Sequence, residues 1–201
     1  MGQIFNDFAK INDHLIVGSH PRDAADIREL YSDNKVRAIE NLQQITETNK
    51  GNINEITDQC VHPGTPIWYQ HIPIRDQDRT SVRDNLPVAV GILDKAITEK
   101  AENHGKTVYL HCCEGLGRSP SVAVAYLYWF KGMTLDDACE LLTTKRRGCT
   151  PYLDAIRGAT YDILDRNKGP DNFPNSNPQA FGDISSNDKG TIQVRVRQLQ
   201  E

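Results

Sequence analysis

The stretch His111-Cys112-Cys113-Glu114-Gly115-Leu116-Gly117-Arg118-Ser119 places a thiol and a guanidinium five residues apart around two glycines. An arginine fork holds two phosphoryl oxygens at once and can follow them into a transition state. A thiolate facing a bound phosphate is a nucleophile aligned for in-line attack. The positive field of Arg118 and of the loop's backbone N–H groups favours the thiolate form of Cys112. The spacing therefore predicts a phosphate cradle formed by Cys113, Glu114, Gly115, Leu116, Gly117, Arg118 and Ser119, with Cys112 as nucleophile. Gly115 and Gly117 are expected to take backbone angles that a side chain would forbid.

Such a cradle needs a strand before it and a helix after it. Thr107-Val108-Tyr109-Leu110 is short, β-branched and aromatic, and reads as a buried strand. Val122 to Phe130 is apolar on nearly every face and reads as a buried helix. Ser119 fits its N-cap and Pro120 its first turn, where a missing N–H costs nothing. A helix N-terminus directed at the loop favours an anion there.

A thiolate displacing an alcohol also needs a proton donor for the leaving oxygen. Ile67 to Ile74, with Trp68 and Tyr69, alternates and reads as a strand, and Asp76 and Asp78 in the loop after it are both candidates. His111 is expected to brace the loop backbone rather than to carry protons. Ser119 is expected to stabilise the thiolate when it leaves.

Elsewhere, Leu15-Ile16-Val17 and Val36 to Leu42 read as strands, and Asp23 to Tyr31 as a short amphipathic helix. Ile53, Ile56 and Cys60 fit one face of a helix inside a polar stretch. The spacing of Val90, Leu93 and Ile97 predicts a helix over Leu86 to Ala101. Leu135 to Thr144 and Tyr152 to Leu164 are helical by period. Strands separated by helices indicate an α/β fold, with a central, mostly parallel sheet flanked by helices. We expect a catalytic domain over residues 1–165 and a C-terminal tail over 166–201 that packs back on it. In the tail, Ile192, Val194 and Val196 suit a strand, whereas Ile192, Val196 and Leu199 suit a helix.

The 201 residues, 38% hydrophobic and 25% charged, suit one soluble globular unit. The formal net charge of −4 gives no electrostatic reason to expect nucleic acid or an anionic membrane. No signal peptide or membrane-length apolar run is legible. Five irregularly spaced cysteines point to a reducing compartment rather than a disulfide framework. No metal or other cofactor is expected. A monomer in the cytoplasm is expected, or in the plastid stroma if a transit segment has been removed.

The loop resembles the signature of the cysteine-dependent tyrosine and dual-specificity phosphatases. Within them the chain is most similar to the plant glucan phosphatases of the starch-excess-four and like-starch-excess-four type. Leu15-Ile16-Val17-Gly18-Ser19, Leu42-Gln43-Gln44, Arg75-Asp76, Gly115-Leu116-Gly117-Arg118 and Ala155-Ile156-Arg157-Gly158-Ala159-Thr160-Tyr161-Asp162 carry that similarity. It implies the dual-specificity phosphatase fold, a cysteinyl-phosphate intermediate and Asp76 as the acid, with Asp78 as the fallback. It also implies a phosphorylated, starch-like glucan as substrate. A dual-specificity phosphatase acting on phosphoserine, phosphothreonine or phosphotyrosine is the alternative. Three positions depart from the pattern: Glu114 stands where alanine is usual, Gln77 follows the acid where an aromatic is usual, and Asn49-Lys50 replaces an aromatic pair. Trp68, Tyr69 and Phe181 are expected to supply sugar-facing surface instead.

Overall fold

The computed structural model describes residues 7–48, 53–101, 105–164 and 183–200. Five strands form one sheet: β1 Phe8–Lys10, β2 Leu15–Gly18, β3 Val36–Asn41, β4 Trp68–His71 and β5 Thr107–His111. Their spatial order is β1-β2-β5-β3-β4; β1 runs antiparallel to β2 and the other pairings are parallel. Every residue of β5 is buried, as a central strand covered on both faces must be. β1 is an edge strand whose three residues are too short for an alternation to show in the sequence.

Side-chain alternation divides the core in two. Ile16, Ile39 and Tyr109 point to one face, where they meet Ile27 and Leu30 of α1 (Ala24–Ser32) and Ile56 and Cys60 of α3 (Ile53–Val61). Between β3 and α3 lies the short α2, Ile45–Thr48. Leu15, Val17, Ala38, Val108 and Leu110 point to the other face. There they are covered by α4 (Arg79–Ala96), α5 (Arg118–Phe130), α6 (Leu135–Lys145), α7 (Leu153–Ile163) and α8 (Ser186–Gln198).

Helix α4 begins seven residues before the expected Leu86, because Asp78 caps it by accepting from Ser81 N at 2.8 Å. Pro87 lies inside it. An interior proline costs about 3 kcal/mol. Burial of Val82, Leu86, Ala89, Val90 and Leu93 along one face offsets that loss. Beyond Ala96 the chain widens into a π turn, Ile97–Ala101, that keeps Ile97 and Ala101 in the core.

The ambiguous C-terminal segment is helical. Ile192 and Val196 are fully buried, whereas Val194, which a strand would place on their side, is 58% exposed. Ser185 and Asp188 form a reciprocal capping box at the start of α8. Lys189 Nζ donates to the Met133 carbonyl at 2.9 Å and Gln193 Nε2 to the Trp129 carbonyl at 2.8 Å. Ile192 and Val196 each contribute roughly 1.5–3 kcal/mol of burial against α4, α5 and α7. No helix among the described residues is long and apolar enough to cross a membrane.

Candidate active site

Gly18, His111 and Asn41 stand level with one another across β2, β5 and β3. They mark the carboxyl edge of the sheet, the usual ligand position in open α/β folds. The loop 112–117 rises from this edge at its centre.

Six consecutive carbonyls of this loop are engaged from outside it. His111 Nδ1–H donates to Cys112 O at 3.0 Å, and His20 N–H donates to Cys113 O at 2.9 Å. The buried Arg146, C-cap of α6, donates Nη2–H to Glu114 O at 2.7 Å and Nε–H to Gly115 O at 2.6 Å. Thr150 N–H donates to Leu116 O at 2.7 Å, and Ser121 Oγ–H donates to Gly117 O at 2.8 Å. Across a trans peptide the N–H points opposite to the C=O. With every carbonyl drawn outward, the N–H groups of residues 113–118 turn inward and form an anion nest. Cys113, Glu114, Gly115, Leu116, Gly117 and Arg118 thus enter the cradle through their backbones.

The two glycines serve different ends. Gly115 has φ +67°, and a Cβ there would meet the Gly18 carbonyl at 2.4 Å. Gly117 has φ −120°, which any residue adopts. What it provides is clearance, since a Cβ there would lie 2.9 Å from the Tyr152 hydroxyl. Helix α5 starts at Arg118 with Gly117 as its N-cap, so Ser119 lies inside the first turn rather than capping it. Its hydroxyl donates instead to Cys112 Sγ at 3.4 Å.

Arg118 is 1% exposed. Nη1 donates to Glu47 Oε2 at 2.7 Å and to the Ile74 carbonyl at 3.0 Å, and Nη2 donates to Glu47 Oε1 at 3.1 Å. Nε–H donates no hydrogen bond of good geometry among the described residues, although Asp76 Oδ1 lies 3.1 Å away. Burial alone would lower the pKa of this guanidinium, but Glu47, Cys112 and Asp76 together hold it above its usual value. Burial pushes the Glu47 carboxyl up, and hydrogen bonds from Arg118 and from the Gln44 N–H outweigh it, leaving Glu47 below the ordinary carboxylate range.

The structure separates the two candidate acids. Asp76 faces Arg118 and is 44% exposed. Gln77 follows it in the left-handed region at φ 53°, a sparsely populated conformation for a side-chain-bearing residue that turns the chain sharply after Asp76. Asp78 is committed elsewhere: it caps α4 and accepts from Arg75 Nε at 2.7 Å. Burial drives the His111 pKa down to about 3, so its imidazole is neutral and acts as a brace.

Trp68 and Tyr69 do not form a platform at the loop. Trp68 stands level with Ala38, three residues before Asn41, about 10 Å down the strand from the carboxyl edge. It packs against the main core and lines a cleft with Arg37, Pro66 and Lys100 at the opposite end of the sheet. The Tyr69 ring packs on the second core, and its hydroxyl accepts from Asn41 Nδ2 at 2.8 Å. Adjacent strand residues point to opposite faces, which precludes a shared surface. Phe181, Asn49 and Lys50 lie outside the described residues.

Sequence reasoning missed Glu47, Arg146, His20 and Tyr152. Tyr152 precedes α7, against Gly117. Burial, and then the nearby Asp76 carboxylate, raise its phenol pKa. None of the four sits at a distinctive spacing from Cys112. All five cysteines are free thiols.

The description "Dual specificity phosphatase, catalytic domain" matches residues 25–157. Phosphoglucan phosphatase DSP4, amyloplastic, of Castanea sativa is 38% identical over 156 residues, covering 77% of this chain and 40% of that protein. Phosphoglucan phosphatase LSF1, chloroplastic, of Arabidopsis thaliana is 31% identical over 159 residues, covering 78% of this chain and 25% of that protein. Human dual specificity protein phosphatase 7 is 31% identical over 88 residues, 44% of this chain and 20% of that protein. The chain thus spans less than half the length of these relatives. Among solved structures, PTPMT1 superposes with TM-score 0.61 at 20% identity, covering 79% of this chain and 97% of that one. Human DUSP28 superposes with TM-score 0.57 at 16% identity, covering 82% and 99%. Both likenesses concern the fold.

Proposed function

Because this chain belongs to the dual specificity phosphatase family, we propose that it hydrolyses phosphate monoesters of a phosphorylated, starch-like glucan through a cysteinyl-phosphate intermediate. The observation that carries the chemistry is the cradle itself, with inward N–H groups, Arg118 beside it and Cys112 Sγ at its base. The N–H groups and Arg118 hold the phosphoryl oxygens. Cys112 thiolate attacks phosphorus, the bond from phosphorus to the sugar oxygen breaks, and Asp76 transfers its proton to that oxygen. The resulting Asp76 carboxylate then takes a proton from water, which attacks phosphorus. The S–P bond breaks, releasing inorganic phosphate and the thiolate that Ser119 stabilises.

The glucan assignment rests on the two phosphoglucan phosphatases, which match over 77–78% of this chain, against 44% for the phosphoprotein-type relative. Both carry plastid designations, which favours a plastid over the cytoplasm for this chain as well. We take residues 1–165 as the catalytic unit, completed by a tail, and the active species as a monomer.

The test is phosphate release from solubilised phosphoglucan and from a phosphopeptide panel, with the Cys112→Ser variant as control. Preferential release from glucan, lost in the variant, is expected. Preferential release from phosphopeptides would transfer the same chemistry to phosphoprotein. Activity retained in Cys112→Ser would overturn the mechanism.

A further inference from the structure

We propose that Glu47 is a positioning residue that aims Arg118 at the phosphoryl group, so that it acts on the transition state rather than on ground-state binding. The inference rests on the reading of Arg118 given above and extends it to a side chain outside the loop.

A guanidinium carries five N–H donors. The end-on pair of Arg118 is taken by the two oxygens of Glu47, at 2.7 and 3.1 Å. The second Nη1 donor goes to the Ile74 carbonyl at 3.0 Å, with the Leu42 carbonyl 3.5 Å away. The side-on edge, made by Nε–H and the remaining Nη2–H, is what is left. Nε is buried and makes no hydrogen bond of good geometry among the described residues, and the Asp76 carboxylate approaches it to 3.1 Å from the side the substrate would occupy. A side-on pair of parallel N–H groups matches two oxygens of a phosphate. Glu47 is therefore placed on the side of the guanidinium that the substrate does not use, and it fixes the plane of the side that the substrate does use.

Glu47 is itself fixed. Its Oε2 accepts the Gln44 N–H at 2.8 Å, so the carboxylate is tied to the backbone directly after β3. That segment is continuous with Leu42, whose N–H donates to the His111 carbonyl at 2.8 Å at the root of the loop. The arginine is thereby referenced to the sheet rather than to its own helix alone. During phosphoryl transfer the equatorial oxygens shift as the phosphoryl group flattens, and an arginine free to rotate would lose its alignment at that moment. The nest N–H groups suffice to hold the ground-state anion.

The experiment compares the full chain with Glu47→Gln and Glu47→Ala on an aryl phosphate, with orthovanadate as the transition-state-like probe and inorganic phosphate as the ground-state probe. Glutamine keeps the shape and one acceptor, so folding is not at stake, and thermal melting verifies it. Misalignment of a catalytic group costs roughly 10²-fold. We expect a kcat loss of about that size for Glu47→Ala, a smaller one for Glu47→Gln, and little change in KM. Vanadate affinity should fall in step with kcat/KM while phosphate affinity holds. Unchanged kcat, or equal weakening of vanadate and phosphate, would overturn the proposal. Arg118→Lys separates the two levels. If it is inactive while Glu47→Ala is native-like, only this inference fails; if it retains native activity, the reading of Arg118 fails first.

Discussion

The Ser119 hydroxyl donates to Cys112 Sγ at 3.4 Å from inside the first turn of α5, and both groups are buried. A hydrogen bond to a charged acceptor contributes about 1.5–3 kcal/mol. It applies whenever the sulfur is anionic, most of all when the thiolate departs from phosphorus. Ser119→Ala should therefore slow hydrolysis of the intermediate by roughly 10- to 100-fold. Rapid-mixing experiments on an aryl phosphate should then show a burst of aryl alcohol followed by a slow steady state. A uniform slowing without a burst would place the role of Ser119 before the intermediate.

The two acid-loop aspartates should separate cleanly. Asp76→Ala should slow substrates with poor leaving groups by about 10²–10⁴-fold more than aryl phosphates, the range of general acid catalysis. Asp78→Ala should lower the melting temperature, because it uncaps α4 and frees Arg75, with no dependence on the leaving group. Rates across a series of leaving groups, with melting curves for both variants, check the assignment.

Arg146 draws the Glu114 and Gly115 carbonyls outward and pairs with Asp7 at 3.2 Å. Arg146→Met should free two peptides of the nest and weaken competitive inhibition by inorganic phosphate by roughly 10-fold or more, since each 1.4 kcal/mol lost is tenfold. Arg146→Lys should rescue little, because an ammonium cannot bridge two carbonyls as a planar fork does. An inhibition constant equal to the native one in Arg146→Met would show that the nest holds its shape without the clamp.

Glu40 is a carboxyl with no exposed surface, next to last in β3, and neither oxygen has a hydrogen-bond partner among the described residues. Burial raises its pKa well above the ordinary carboxylate value. The folded state thus retains a proton that the unfolded state gives up, and stability falls as pH rises from the unfolded value of about 4.3 towards the folded one. Each unit of that shift corresponds to about 1.4 kcal/mol. Glu40→Gln should flatten this dependence, and Glu40→Leu should raise the melting temperature more at pH 8 than at pH 5. Parallel melting curves for native and variant protein across pH would contradict it.

The strand, loop and helix around Cys112 were legible in the sequence because each depends on neighbours in the chain. A buried β-branched run, two glycines and an apolar helix carry their geometry in local spacing. The same holds for β2, β3, α1, α6 and α7, whose periodicities match the observed elements to within a residue or two. Local spacing misjudged the start of α4, where a capping aspartate and a buried face outweigh Pro87. It could not choose between Asp76 and Asp78 either, because two carboxylates two residues apart look alike until one turns toward Arg118 and the other caps a helix. Trp68 and Tyr69 were attractive as neighbours for the same reason, and the pleat sends them to opposite faces.

Only the tertiary structure brought Glu47 and Arg146 to the loop. Glu47 reaches Arg118 across 71 positions, and Arg146 reaches Glu114 across 32. The parallel order β2-β5-β3 sets the end of β3 beside the end of β5 and so brings α2 over the arginine. Packing of α6 against α5 delivers its C-cap, Arg146, to the back of the nest. The sequence by itself determined which groups could do the chemistry, since nucleophile, arginine and cradle are consecutive. How those groups are aimed was decided by crossover connections and helix packing, because long-range contacts leave no period or spacing in the chain.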